Sequence, residues 1–487
     1  MEDSQHRREM ISRIYDQGRE AVIEYFERLL IEMQEVSRRQ EERIKALENQ
    51  VSKDSHNSNK PPSSDGLQRT PKSLRVKSDR PSGGQQGHPG TTLKMVATPD
   101  HVVVHPVHRC RRCGHSLEQV AAAGHEKRQV FDLPRLRVEV TEHQVEIKNC
   151  SHCGIATTSA FPDSVSKASQ YGDYVKAFSI YLMQQHLVPF KRTTELLHDL
   201  FGCTITEGSL HNWTQQAYRT LQPAEEAVKE QLRQAPVVNA DETGIFCEHK
   251  LQWLHAASTP KFTHYALHEK RGNEATDAIG ILPQFKGRLI HDFWESYLKY
   301  ENCLHGFCNI HIIRELTAVV EYDHQRWAQE LIDLLRHINK YAQRAMELKE
   351  VLHPRTILRY LQQYDAIVQR GLRRNPRDRG SPHKRGRKKQ SKARNLLERL
   401  REYRDGILAF MHDAQVPFTN NLAERDIRMT KVKQKISGTF RSRVGADGFC
   451  RIRGYISTVK KNGLNVFDAL VNAFTGNPFI PMTIYAE

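Results

Sequence analysis

Val237-Val238-Asn239-Ala240-Asp241 is a short apolar run that closes on an acid, and Gly287-Arg288-Leu289-Ile290-His291-Asp292 is a second. Between them, residues 251–258 and 262–268 repeat aromatic and aliphatic side chains in turn-bounded runs of strand length, and residues 276–282 suit a short helix. Taken in order, these are three strands, a helix and a fourth strand. Carboxylates stand at the ends of the first strand and the fourth.

That order belongs to α/β ribonuclease-H-like folds, whose core needs a third acid from a later helix. Asn420-Asn421-Leu422-Ala423-Glu424-Arg425 offers one. Three acids brought together repel and raise one another's pKa unless cations neutralise them. Asp241, Asp292 and Glu424 therefore point to divalent metal, a pair of ions about 3.5–4 Å apart acting on phosphodiesters.

With 487 residues the chain exceeds one hydrophobic core, so three or four units are expected. A formal charge of +16 makes a polyanion, nucleic acid, the first partner to consider. No apolar run approaches the ~20 residues of a membrane span, and Met1-Glu2-Asp3-Ser4-Gln5-His6 is too polar for a secretion signal. Of nine cysteines, four sit in paired C-x-x-C units, which suits metal ligands in a reducing, cytoplasmic compartment better than disulfides.

Residues 1–51 read as one long charged helix. Phe26, Leu29, Met33 and Val36 form a stripe that resumes with Ile44, Leu47 and Val51, suited either to a coiled-coil dimer or to a helix lying on its own protein. Residues 52–95 are a basic, Gly- and Pro-rich stretch that reads as a flexible linker. Residues 101–162 hold Cys110-Arg111-Arg112-Cys113 and Cys150-Ser151-His152-Cys153, each followed by Gly, with strand-like alternation expected over 129–133 and 137–148. Cys110, Cys113, Cys150 and Cys153 give four soft ligands for a structural Zn2+ in a small β zinc ribbon.

Residues 171–233 read as helical. A helix over 193–201, a turn at Gly202-Cys203 and a second helix N-capped by Thr206 make either a DNA-reading helix-turn-helix or plain scaffolding. Residues 237–440 then carry the catalytic domain with a mainly helical insertion at about 320–415, and 441–487 a final helical region. Cys308 and His311 have metal-like spacing, but two ligands make a poor site, so packing or hydrogen bonding is the preferred reading; His311 and Arg314 can instead approach phosphate. Arg385-Gly386-Arg387 suits a minor-groove arm or simple phosphate attraction. Glu424 by itself fits a helix-capping acid. Arg428 and Lys431 would share its helical face and serve DNA phosphates.

Together these pieces closely resemble bacterial insertion-sequence transposases of the class numbered sixty-six. The resemblance rests on the early zipper-like helix, the two cysteine knuckles, Asp241-Glu242-Thr243-Gly244, Cys308-x-x-His311 and Asn420-Asn421-Leu422-Ala423-Glu424-Arg425, and it covers nearly the whole chain. It implies a DDE transposase that cleaves and joins DNA, with Asp241, Asp292 and Glu424 on two Mg2+ or Mn2+ ions and Lys431 as the basic residue two turns past the glutamate. Relatives more often show Asp-Gly-Tyr where this chain has Asp292-Phe293-Trp294. Glu295 and Asp277 are the other nearby acids, and neither ends a convincing strand. Glu242 points to the opposite face from Asp241.

The implied partners are double-stranded DNA (the element's terminal inverted repeats and a target), a second copy in a homodimer or larger synaptic assembly, and accessory proteins of the same element. A nuclease or resolvase that cuts without joining would use the same acids. A DNA-binding regulator with a decayed trio would keep only the zinc and the basic segments.

Overall fold

The computed structural model describes residues 2–51, 56–58, 92–134, 136–348, 350–377 and 390–482. Helices α1 (Glu2–Tyr15) and α2 (Arg19–Val51) open the chain. The single long helix expected there is broken, because Gly18 takes φ 100°, outside helical geometry. The α2 stripe is uncovered, with Phe26, Met33, Val36, Ile44 and Leu47 all exposed.

In the cysteine-bearing segment, β1 (Ile147–Asn149) pairs antiparallel with β2 (Ala156–Thr158). The strand expected over 129–133 does not form, and of 137–148 only the last residues are strand. These side chains have nothing to pack on: no described residue from 92 to 171 is buried. Alternation without a second layer cannot hold a sheet together.

The helical stretch follows as α3 (Asp173–Ile180), a π-helical turn at Tyr181–Gln185, α4 (Phe190–Phe201), α5 (Glu207–Thr220) and α6 (Gln222–Gln234). Gly202 turns the chain with φ 69°, and the Thr206 hydroxyl accepts the Ser209 N–H at 3.2 Å, capping α5.

The central sheet contains β3 (Val237–Cys247), β4 (Lys250–Ser258) and β5 (Thr263–His268). Helix α7 (Asn273–Ile279) leads to β6 (Arg288–His291) and β7 (Leu304–Phe307). α7 starts and ends three residues before the expected 276–282, stopped by Gly280 in the left-handed region. The strand order is β5-β4-β3-β6-β7; β3 to β5 are antiparallel neighbours, while β6 runs parallel to β3 and β7 parallel to β6. Two features correct the sequence reading. β3 continues six residues past Asp241, which therefore lies mid-strand, and β7 is a fifth strand that was not expected.

Helices α8 (Asn309–Asp323), α9 (Arg326–Glu347), α10 (Pro354–Arg374), α11 (Lys392–Glu402) and α12 (Arg404–Ile407) lie between the second and third acids. They share one apolar core around Trp327, Leu335, Tyr364 and Leu397, which reaches Ile290 and Phe307 of the sheet. Helices α13 (Asn421–Ser437), α14 (Arg443–Lys461) and α15 (Val466–Phe474) complete the chain.

By backbone contacts the chain forms two compact units, one of Met1–Leu74, Gly172–Pro189 and His211–Glu487, the other of Arg75–Tyr171 and Phe190–Leu210. Within the first, the sheet has a core on each face. Val238 and Ala240 pack with α6 residues Val228 and Leu232. Ile245 and Cys247 pack with Ile427 of α13 and Phe449 of α14. The strand period of two assigns odd-numbered residues of β3 to the α13 side, Asp241 among them.

Candidate active site

The register of the parallel strands lines up the first two acids. Asn239 pairs with Ile290, so Asp292, two residues further, stands level with Asp241 on the neighbouring strand line. His291 pairs with Phe307, which sets Cys308 level with Asp292 in turn. Asp292 is held in a tight turn, its Oδ1 accepting the Trp294 N–H at 3.0 Å.

Glu424 arrives on α13, whose start is pinned to β3. Asn420 Nδ2 donates to the Ala240 carbonyl at 2.8 Å, Asn239 Nδ2 donates to Asn420 Oδ1 at 2.9 Å, and the Asn420 N–H meets Cys308 Sγ at 3.2 Å. Asn420 is the N-cap residue, yet its side chain makes no cap bond. Buried, the Asn420 amide instead joins helix to strand, and Glu424 follows in the first turn of α13. Its nearest partners are Cys308 Sγ at 3.9 Å and His311 Nδ1 at 3.8 Å, on the first turn of α8.

The electrostatics follow from this crowding. Asp241 is pushed well above the usual carboxylate range, first by burial and then by the charges of Glu242, Asp292 and Glu424. Asp241 thus feels both Asp292 and Glu424, although the three carboxylates do not bring their oxygens within 4.8 Å of one another. Carboxylate oxygens are the donor type hard divalent cations take, and a cation there would relieve the repulsion that opposes ionisation of Asp241. Cys308, buried beside Glu424, has its thiol pushed up to about 12.

Glu242 turns to the other side, as strand alternation requires. There it pairs with Arg271 at 2.8 Å and accepts the Tyr297 hydroxyl at 2.5 Å, and the Arg271 guanidinium lies 3.7 Å from the centre of the Trp294 ring. Nothing in the sequence pattern links these distant residues. Asp277 is engaged by Lys299 and Tyr300, away from the trio.

The predicted DNA-binding residues are placed unevenly. Arg428 is exposed on α13, and Arg314 is half-buried on α8 with a buried Nε that has no hydrogen-bond partner. His311 joins the Glu424 cluster. Lys431 is half-buried, its ammonium donating to the Gly244 carbonyl at 2.7 Å. Arg385 and Arg387 lie outside the described residues.

The two cysteine knuckles are near copies. Gly114 N–H bonds the Cys110 carbonyl at 3.0 Å and Gly154 N–H the Cys150 carbonyl at 2.8 Å, both glycines at φ 72°. The backbone N–H of Cys113, then that of Arg112, lowers the Cys110 thiol pKa; those of Cys153 and His152 do the same for Cys150. Such thiols suit zinc. The structure forms each knuckle but does not bring three of the four sulfurs within 4.8 Å of one another; among the described residues Cys308, His311 and Glu424 are the one metal-type group that close.

Comparison with known protein families matches three stretches of the chain. A model of the transposase IS66 family matches residues 168–448, more than half of the chain. A model of the zinc-finger binding domain of transposase IS66 matches residues 108–154. A family of unknown function matches residues 16–94. No curated protein matches the chain.

Proposed function

The chain belongs to the transposase IS66 family, and on that premise we propose that it cuts the ends of an insertion sequence and joins them to target DNA by DDE chemistry, with Asp241, Asp292 and Glu424 as the catalytic acids. One observation carries the reading: parallel register sets the turn after β6, which bears Asp292, level with Asp241 on β3, and the Asn420 hydrogen bonds tie the start of α13, which bears Glu424, to that same strand. The strand order, with three antiparallel strands continued by two parallel ones, supports a ribonuclease-H-like core.

The three carboxylates would hold two Mg2+ or Mn2+ ions, which supply charge stabilisation at the attacking and leaving oxygens of a phosphodiester. The protein's own work is placement. Strand register would set Asp241 against Asp292, and the Asn420 joint to β3 would hold Glu424 near them. Arg428, exposed one turn beyond Glu424, is available to DNA phosphate. Lys431 would act from its anchored position, by orienting β3 at Gly244.

The knuckle cysteines would hold one structural zinc, supported by the zinc-finger match and by the absence of any buried side chain among the described residues of 92–171. The exposed stripe of α2 would pair with that of a second copy in a coiled-coil dimer.

The test is an end-cleavage and strand-transfer assay on DNA carrying the element's terminal repeats in Mg2+. Asp241→Asn should abolish both steps and leave DNA binding within about twofold. Undiminished strand transfer by that variant would refute the assignment. Cleavage without joining of pre-cut ends would make the protein a nuclease.

A further inference from the structure

The geometry points to a second metal site at the edge of the first. In it, Cys308 Sγ, His311 Nδ1 and Glu424 Oε1 take a borderline-soft divalent cation of the zinc type, withdrawing Glu424 from the carboxylate trio. The inference deepens the proposed function by adding a metal-dependent off-state, and to that extent it rests on the DDE reading.

The three donor atoms lie within 4.8 Å of one another. Tetrahedral zinc holds neighbouring S, N and O donors about 3.3–3.7 Å apart, so closing the site needs the donors to approach by roughly 1 Å. Sequence spacing brings the first two together: Cys308 is the N-cap of α8, and His311, at its third residue, lies over the same first turn with its N–H on the Cys308 carbonyl at 3.1 Å. Glu424 is delivered from the opposite side by the Asn420 joint.

Two independent details favour a cation over simple packing. His311 Nδ1 is buried with no hydrogen-bond partner, although it is aimed at a carboxylate. An orphaned buried nitrogen is costly, and a metal ion would satisfy it. The Asn420 N–H already points at Cys308 Sγ at 3.2 Å, the kind of bond that stabilises a thiolate ligand. The donor set also discriminates. Thiolate and imidazole suit zinc and are poor ligands for magnesium. The thiol releases its proton to solvent as the ion binds. With side chains 15% and 19% exposed, His311 and Glu424 leave the ion a way in and an open side.

Because each ion demands Glu424, zinc and the magnesium pair exclude one another. The experiment uses the full chain with its knuckle zinc in place, titrated with Co2+ as a spectroscopic stand-in. One further equivalent should bind with a thiolate-to-cobalt charge-transfer band. Cys308→Ser should lose that band and bind at least about tenfold more weakly, and His311→Gln should weaken binding similarly. Zinc should inhibit Mg2+-dependent strand transfer by the parent chain, reversed by chelator, while Cys308→Ser resists it.

Absence of the extra equivalent, or its survival unchanged in both folded variants, overturns the site and leaves a hydrogen-bonded cluster. Binding with equal inhibition of parent and Cys308→Ser overturns the competition with magnesium. If the chain showed no Mg2+-dependent activity, the DDE reading would fail alone, because the cobalt titration needs no catalysis.

Discussion

Asn239 and Asn420, 181 positions apart in sequence, donate and accept a buried side-chain hydrogen bond of 2.9 Å that ties the start of α13 to β3. Each is nearly free of solvent contact, at 3% and 2% exposure. The pair converts a helix and a strand into one rigid mount for Glu424 and Asp241.

Removing that joint should separate stability from chemistry. Asn420→Ala strands Asn239 Nδ2 and the Ala240 carbonyl in the core, a cost of about 2–3 kcal/mol in denaturant unfolding. Strand transfer should fall by about 100-fold even at temperatures where the variant is fully folded, because the Glu424 carboxylate is no longer held in place. A variant with normal turnover would show that the joint is merely structural.

The pH dependence of stability has a definite sign. The pKa of Asp241 is raised in the folded chain, so its contribution is most favourable below the ordinary carboxylate range, near pH 4 or lower, where both states hold the proton. Stability is lost as pH climbs from there towards the raised folded value, and the penalty is then constant. Metal-free Asp241→Asn should accordingly melt above the parent at pH 8, with the gap closing towards pH 4. Mg2+ at 100 times its Kd should stabilise the parent by about 2.7 kcal/mol and the variant by less. A variant melting below the parent at every pH would contradict the assigned crowding.

Zinc removal should act on one segment only. The described residues of 92–171 bury no side chain, so nothing but the metal would keep the knuckles ordered. Chelation, or Cys113→Ser, should open this segment to limited proteolysis while the 237–474 fragment persists. Uniform loss of protease resistance along the chain would argue for a different role.

Asp426, two residues beyond Glu424, has a purely structural setting. Its Oδ2 accepts Lys461 Nζ at 2.7 Å, Ser258 Oγ at 2.7 Å and Thr263 Oγ1 at 3.1 Å. Asp426→Ala leaves the half-buried Lys461 ammonium without its counter-ion, held only by the Thr259 and Phe262 carbonyls and Thr263 Oγ1, and should cost about 2–3 kcal/mol. Asp426→Leu with Lys461→Met should recover much of that loss in the same unfolding measurement.

The strands β3 to β6 and their acids were legible because alternation and turn residues are local signals. β7 was not, since Leu304-His305-Gly306-Phe307 is too short to show a period and gains strand geometry only from its neighbour β6. The break at Gly18 is not legible either, as one glycine weighs little inside a long helical pattern. In Asn420-Asn421-Leu422-Ala423-Glu424, local rules favoured a cap, whereas burial gave Asn420 a better partner across the fold.

Taken by itself, the sequence determined the kinds of donor present: three carboxylates, two thiol pairs, a Cys-x-x-His and an excess of positive charge. Composition and short-range periodicity are enough for that. Only the tertiary structure decided which donors meet, setting Asp241 beside Asp292 through parallel register and turning Glu424 towards Cys308 and His311. Those encounters depend on which buried polar groups can satisfy one another across long stretches of chain, a choice made when the core closes and not before.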